Sequence, residues 1–245
     1  MMQGVEHVRF LPLGDAALAV EFGDAIDRAT SARVLRLAGE VAALEEGVVE
    51  LVPTFRSLLV QYDPLQGSAA RIEAAIRARL DDATAPTESP ARLWRLPACY
   101  EPAFAPDLAD VARRADLAEA EVARLHAETT FHVYLVGFAP GFPYMGDVPP
   151  ALRFPRRAEP RIRVPAGSVA IATAMTGVYP VESPGGWHLI AHCPVRLFDP
   201  LAAEPSLLAP GDAVRFEPVA GPEHARIAAA VARGGYQPPC EEITS

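Results

Sequence analysis

Residues 154–192 read FPRRAEPRIRVPAGSVAIATAMTGVYPVESPGGWHLIAH, a run of short apolar segments broken by Pro and Gly. SVAIAT (168–173), GVYPV (177–181) and WHLIAH (187–192) are short β-prone runs separated by Pro and Gly, the spacing of strands joined by tight turns. Outward from it, VRLF (195–198) and AVRFEPV (213–219) continue the pattern, while residues 130–138 and RLWRLPACY (92–100) read as earlier strands. Many short strands with turns between them indicate a barrel or sandwich, not a parallel α/β sheet. Residues 107–115, 119–128 and 223–233 read as short helices, and the tail from Gly234 is expected to fray.

The N-terminal third has a different rhythm. HVRFLPLGDAALAVEF (7–22) gives two apolar runs split by Leu13-Gly14-Asp15, a hairpin signal. Over residues 27–46, Val34, Leu37, Ala38, Val41 and Leu44 recur at three- and four-residue steps, which predicts an amphipathic helix. Strands are expected at 48–53 and 57–62, and a second helix at 68–80 with Ile72, Ala75, Ile76 and Leu80 on one face. The order ββαββα suits a small sheet covered by two helices. DDATAPTESPA (81–91) loses periodicity and reads as a linker. The expected organisation is an α+β domain over 1–82, a linker at 83–91, a β-rich domain over 92–220, and a C-terminal helix and tail over 221–245.

The chain has 245 residues, half of them apolar, which supplies two modest cores. No run of about 18 apolar residues occurs, and MMQGVEHVRF lacks the order of a signal peptide, so a cytoplasmic protein without membrane contact is expected. A net charge of −9 argues against a nucleic-acid binder. Cys99, Cys193 and Cys240 lie far apart, and His188 and His192 are spaced by four in a strand context, so neither a disulfide framework nor a metal site is expected. All 22 basic residues are arginine; without lysine the chain has no Walker lysine, Schiff base or lysine general base.

Arg153, Arg156, Arg157, Arg161 and Arg163 fall within eleven residues, while only Asp147, Glu159 and Glu182 oppose them between positions 129 and 190. This local positive excess attracts anions, and guanidinium forks match carboxylate or phosphate; arginine gatekeepers on a solvated edge strand are the alternative. Arg161 and Arg163 share one strand face, with Ile162 and Val164 on the other. Gly167, Gly185 and Gly186 either turn N–H groups toward one oxyanion, with Ser168 and Ser183 adding donors, or serve tight hairpins. In GFAPGFPYMG (137–146), Phe138, Phe142 and Tyr144 roof a pocket, anchor a partner or simply pack under the loop. The residues alone describe an anion-binding, β-rich domain.

Long motifs in fixed order add a family. FLPLGDAALAVEFGD (10–24), PTFRSLLV (53–60), GFAPGFPYMG, PRR (155–157), PRIRVPAGSVAIA (160–172), TGVYPVESPGGWHLI (176–190) and LFDP (197–200) resemble the family that holds the B-type subunit of 5-oxoprolinase, the sporulation-kinase inhibitor and allophanate hydrolase subunit 1. The likeness runs over roughly residues 9–219. It implies a ferredoxin-like α+β N-terminal domain joined to a mainly β, cyclophilin-like barrel.

It also implies a subunit of an ATP-dependent lactam hydrolase, inactive alone, that meets a second cyclophilin-like subunit and works with a third to open 5-oxoproline to glutamate. ATP, with Mg, would be bound through the complex and not tightly by this chain, and the substrate is a small carboxylate. The alternatives are a regulatory inhibitor docked on a histidine kinase, and the carboxyltransferase half of a urea carboxylase or allophanate-type enzyme. Carried onto this chain, the resemblance assigns catalysis to Arg157, Arg161 and Ser168, and substrate binding to Phe142, Tyr144, Arg156, Thr176, Ser183, Gly185, Gly186 and Trp187. Two departures stand out. Ala172-Thr173-Ala174-Met175-Thr176-Gly177 replaces the common A-G-x-Q-T-G, and Ala191-His192-Cys193-Pro194 replaces G-R-T-P. Met175 cannot make the hydrogen bonds of a glutamine amide.

Overall fold

The break at Leu13-Gly14-Asp15 becomes the turn of a hairpin between β1 (Val8–Leu13) and β2 (Ala17–Phe22), with Val8 opposite Phe22. The computed structural model describes residues 8–44, 47–81 and 91–243, and the chain divides into two compact units, Met1–Ser89 and Pro90–Ser245. The linker expected at 83–91 lies outside the described residues except for position 91.

The first unit continues with α1 (Arg28–Ala42), β3 (Val48–Pro53), β4 (Ser57–Tyr62) and α2 (Ala69–Asp81), the expected ββαββα order. Asp27 starts α1 by accepting the Thr30 N–H at 2.7 Å, a contact that holds its carboxyl below the usual range. The sheet order is β1-β2-β4-β3, antiparallel at every pairing. Since β2 and β3 both flank β4, they run parallel to each other, joined by α1: a split βαβ unit with its extra edge strand leading. Alternation in β2 and β4 aims Leu18, Val20, Phe22, Leu58, Val60 and Tyr62 at Val34, Leu37 and Val41 of α1 and Ile72 and Ile76 of α2.

The second unit holds β5 (Ala91–Ala98), α3 (Leu108–Ala115), α4 (Glu119–Glu128), β6 (Phe131–Val136), β7 (Pro143–Gly146), β8 (Arg161–Val164), β9 (Ser168–Ala172), β10 (Met175–Val178), β11 (Ser183–Gly185), β12 (His188–His192), β13 (Ala213–Pro218), α5 (Gly221–Ala232) and β14 (Cys240–Ile243). Eight strands form one sheet in the order β12-β9-β10-β7-β6-β13-β5-β14, and β8 and β11 make a separate ribbon. The unit is mixed α/β with several sheets, and the barrel expected from the sequence does not close. The reason lies in β5, which pairs with β13 on one side and β14 on the other, leaving β12 only one bridge beyond the strand, Cys99 with His192.

Four local readings are corrected. The tail does not fray over its whole length, because Cys240–Ile243 pairs with β5 and Glu241 meets Arg95 at 2.8 Å; the polar run CEEI carried no strand signal of its own. VRLF forms no strand: Phe198 makes a single bridge to Ser206 and Leu197 fills the core from a loop. GVYPV is strand only to Val178, two residues before Pro180, which has no N–H to give a ladder. Besides CEEI, two strands carried no sequence signal, PYMG and SPG, hidden by their Pro and Gly.

β9 is buried along its whole length, which explains its unbroken apolar text. Val169 and Ile171 enter the main core with Leu96, Phe131, Val133, Met145, Val214 and Phe216, under Leu108, Val111 and Val122 of the helices. Ala170 and Ala172 face a second cluster of Phe142, Val164, Tyr179, Trp187 and Leu189. Among the described residues no helix is long and apolar enough to cross a membrane.

In the main core His126 is fully buried, its ring stacked on Phe216 with centroids 4.8 Å apart. Thr176 Oγ1 donates to the Ala170 carbonyl at 3.0 Å and therefore accepts from His126 Nε2 at 2.9 Å, leaving Nδ1 to accept from the Tyr100 hydroxyl at 2.8 Å. This arrangement suits the neutral ring, and burial pushes the pKa down to about 3. A histidine depressed in the fold contributes stability above its unfolded pKa of about 6.5 and loses it as pH falls toward the folded value. Between pH 6 and 4 this residue should remove up to about 1.4 kcal/mol per pH unit. Urea unfolding across that range should show a shallower slope in His126→Phe than in the parent, whatever the variant's overall stability. Equal slopes would show that His126 does not stay neutral in the fold.

Candidate functional site

Asp107, at the mouth of α3, is buried, and its carboxylate is the meeting point of the arginine cluster. Arg161 grips it bidentately, Nη1 to Oδ2 at 2.8 Å and Nη2 to Oδ1 at 2.7 Å. Arg157 Nη1 adds a bond to Oδ1 at 3.0 Å, and the Leu189 N–H donates to Oδ2 at 2.7 Å. The backbone of Asp107 returns a bond to the Leu189 carbonyl at 2.9 Å, which fixes α3 to β12. Both arginine side chains stay partly exposed, and Arg157 Nε is buried without an acceptor.

The other three arginines disperse. Arg153 donates to the Val148 carbonyl, Arg163 pairs with Glu182 on an exposed edge, and Arg156 is exposed with no ion pair among the described residues. Alternation along β8 places Arg161 and Arg163 on one side as expected, yet only Arg161 reaches Asp107, and Ile162 opposite them stands 86% exposed. The PRR segment is tied to β11 and β12 by Arg157 N–H to the Gly186 carbonyl at 2.7 Å and His188 Nε2 to the Pro155 carbonyl at 2.9 Å. His188 Nδ1 and Ser183 Oγ are further buried polar atoms without partners.

Phe142 organises the aromatic residues. Its ring meets Tyr144, Tyr179, Trp187 and Phe138 edge-on, with centroids 4.9, 5.1, 5.6 and 5.6 Å away. Burial raises the Tyr144 phenol above its ordinary pKa, against the pull of Arg156. It raises Tyr179 too, with Tyr144 adding to the effect and Arg156 and Arg161 opposing it. The two phenols therefore stand within electrostatic reach of Arg156, and Tyr179 of Arg161 as well. Gly185 is glycine for want of room: a Cβ there would sit 2.2 Å from the Tyr179 hydroxyl oxygen. Phe138 keeps its ring 63% exposed on a left-handed backbone, φ 69°.

Of the residues singled out in the sequence, the structure thus gathers Arg157, Arg161, Gly185 and Gly186 with Phe142, Tyr144 and Trp187, and puts Arg156 at their rim. Two others stand apart. Thr176 turns to the opposite face of the sheet, into the His126 chain. Ser168 lies at the far end of β9, opposite His192, whereas Asp107 meets β12 at Leu189. Nor do the glycines build one nest, since the Gly167 N–H already donates to the Tyr179 carbonyl at 2.7 Å. His192, one of the departures, has its own arrangement: Nε2 meets the Ala166 carbonyl at 2.9 Å and Nδ1 meets His224 Nε2 at 2.8 Å. Burial first, then His224, lowers its pKa.

The sequence reading missed Asp107 and Tyr179 as members of this site. Asp107 precedes a helix, where an aspartate ordinarily means a cap, and it lies 50 and 54 residues from the arginines it joins. Tyr179 passed for an ordinary strand aromatic. A cavity of about 670 Å³ exists elsewhere, along α4 and β13 between Ala123, Ala127, Arg215 and Phe216, and no residue of the arginine cluster lines it. Among the described residues, no group of three or more His, Cys, Asp or Glu is placed to hold a metal ion.

The family model for the carboxyltransferase domain, subdomain C and D, matches residues 8–208. The B-type subunit of 5-oxoprolinase from Escherichia coli O157:H7 is 39% identical over 214 residues, 87% of this chain and 97% of that protein. Among solved structures, that of TTHA0988 is 37% identical with a TM-score of 0.75, covering 85% of this chain but 41% of its own, so the present chain spans less than half of that polypeptide. Kluyveromyces lactis urea carboxylase aligns over 96% of this chain and 24% of its own with a TM-score of 0.79, at 21% identity a likeness of fold.

Gly167 links the two ends of this region. Its φ is +84°, and a Cβ would lie 2.5 Å from His192 Cε1 and 2.6 Å from the Cys193 carbonyl oxygen. Gly167→Ala should therefore combine left-handed strain with overpacking and lower stability by about 2–4 kcal/mol in urea titration. A change below about 0.5 kcal/mol, the level of an ordinary surface substitution, would contradict the packing described.

Proposed function

The chain belongs to the family of carboxyltransferase subdomains C and D, and on that premise we propose that it is the B-type subunit of an ATP-dependent 5-oxoprolinase. The observation that carries this reading is the Asp107-centred pair Arg157 and Arg161, which make three hydrogen bonds to one carboxylate, braced by the Leu189 N–H, and stay partly exposed. Two guanidiniums on one carboxylate leave one positive charge unmatched. 5-Oxoproline supplies a carboxylate that such a centre can grip, and its lactam oxygen gains negative charge as water opens the ring.

Fixed donors aimed at a developing charge cost no reorganisation when the bond breaks, and they act more strongly in a partly buried site than in water. Arg157 and Arg161 take this electrostatic role. Phe142, Tyr144 and Trp187 pack edge-on beside β12, and the exposed Arg156 adds charge that draws the anion in. Hydrolysis breaks the lactam C–N bond, with hydroxyl added to carbon and a proton to nitrogen. ATP, when bound to the complex, supplies the activation that a resonance-stabilised lactam lacks. The residues of this chain fit a nucleoside triphosphate poorly, since it has no lysine and the Gly167 N–H is already committed. ATP binding is assigned to the partner subunits, a second cyclophilin-like chain and a third, and the chain by itself is inactive.

The family description and the fold shared with urea carboxylase favour one other reading, half of a carboxyltransferase acting on urea or a related amide. Biotin-dependent activity in the reconstituted pair would select it. The 5-oxoprolinase reading predicts that the chain, co-purified with its partner subunits, hydrolyses 5-oxoproline only when ATP is present; an intact complex without turnover would overturn it. Arg161→Ala in that complex should lower kcat by about 10²–10³, the usual cost of losing an oxyanion donor. Undiminished turnover would remove Arg161 from the mechanism.

A further inference from the structure

Aspartate is among the strongest helix caps, yet Asp107 does not cap α3. Its backbone is in the helical region (φ −106°, ψ −1°) and its side chain makes no bond to the first-turn N–H groups. The carboxylate is instead turned to Arg157, Arg161 and the Leu189 N–H. A second observation comes from the same place: Arg157 Nε is buried without an acceptor while the side chain as a whole stays partly exposed, so Asp107 does not saturate this guanidinium.

We propose that Asp107 is the positioning residue of the site. It holds the two guanidiniums in one orientation, cancels one of their two charges, and leaves their free flanks as a preformed receptor for a single carboxylate or similar oxyanion. This rests on the reading of the site given above and adds to it the residue that sets the site's geometry and charge. Two like charges held so close would splay apart without the carboxylate between them. Asp107 touches no substrate itself; it acts through the arginines.

Charge and position separate in two variants. Asp107→Asn is nearly isosteric and takes the trio from one net positive charge to two, so an anionic substrate should bind more tightly while the loosened guanidiniums stabilise the transition state less. In the complex, KM for 5-oxoproline should fall at least threefold and kcat at least tenfold, per mole of folded complex. Asp107→Glu keeps the charge and shifts the carboxylate, so KM should stay within twofold while kcat falls at least fivefold. It carries the test if the asparagine variant does not fold. Unchanged kcat in either variant would overturn the proposal, as would a KM that rises in Asp107→Asn.

A readout independent of turnover uses the full chain alone with inorganic phosphate. Phosphate should raise the thermal midpoint of Asp107→Asn more than that of the parent, because two unmatched charges face the anion in place of one. Equal shifts would overturn the charge assignment. If the parent complex fails to hydrolyse 5-oxoproline, the functional reading falls while the phosphate comparison still decides the role of Asp107.

Discussion

A carboxylate withdrawn from water costs several kcal/mol unless charge and hydrogen bonds replace its hydration, and Asp107 meets that condition through two arginines and one backbone N–H. The surrounding part of the second unit is organised by this single pairing. Through it α3, the PRR segment, β8 and β12 are fastened at one point, although they come from four separate parts of the chain. The Gly186 and Pro155 carbonyls, accepting from Arg157 N–H and His188, brace the same region from the other side.

Around that point the sheet carries two different cores. Strand alternation in β9 sends Val169 and Ile171 to the helix-covered face and Ala170 and Ala172 to the aromatic face. Small alanines on the second face make room for Phe142, Tyr179 and Trp187; Phe142 meets the other two edge-on, and Tyr179 stands within electrostatic reach of Arg161. Thr176 illustrates the consequence: sharing a motif with Tyr179, it serves the opposite core by closing the hydrogen-bond chain of His126 and Tyr100. Sequence proximity to a site and membership of it are different properties in a strand, where neighbours point apart.

Elements with a strong period were legible. The helices at Val34, Leu37 and Val41 and at Ile72 and Ile76, and the strand at 57–62, follow from local spacing because each element buries one face. Elements without a period were not. β14 is polar and β11 is three residues of Ser, Pro and Gly, so both exist as strands only because a neighbouring edge offers them hydrogen bonds. The closed barrel failed for the same reason, since it depended on which strand β5 would accept as its second partner.

Legible in the sequence were a dense group of arginines, glycines and aromatics with a local positive excess, and the change from an α+β unit to a strand-rich one. These follow from residue chemistry and periodicity, which are local. That Arg157 and Arg161 form a pair while Arg153 and Arg163 do not is a property of the folded sheet, because the choice belongs to Asp107, about fifty residues away. Charge selects partners by distance in space, and that distance does not exist until the sheet has folded.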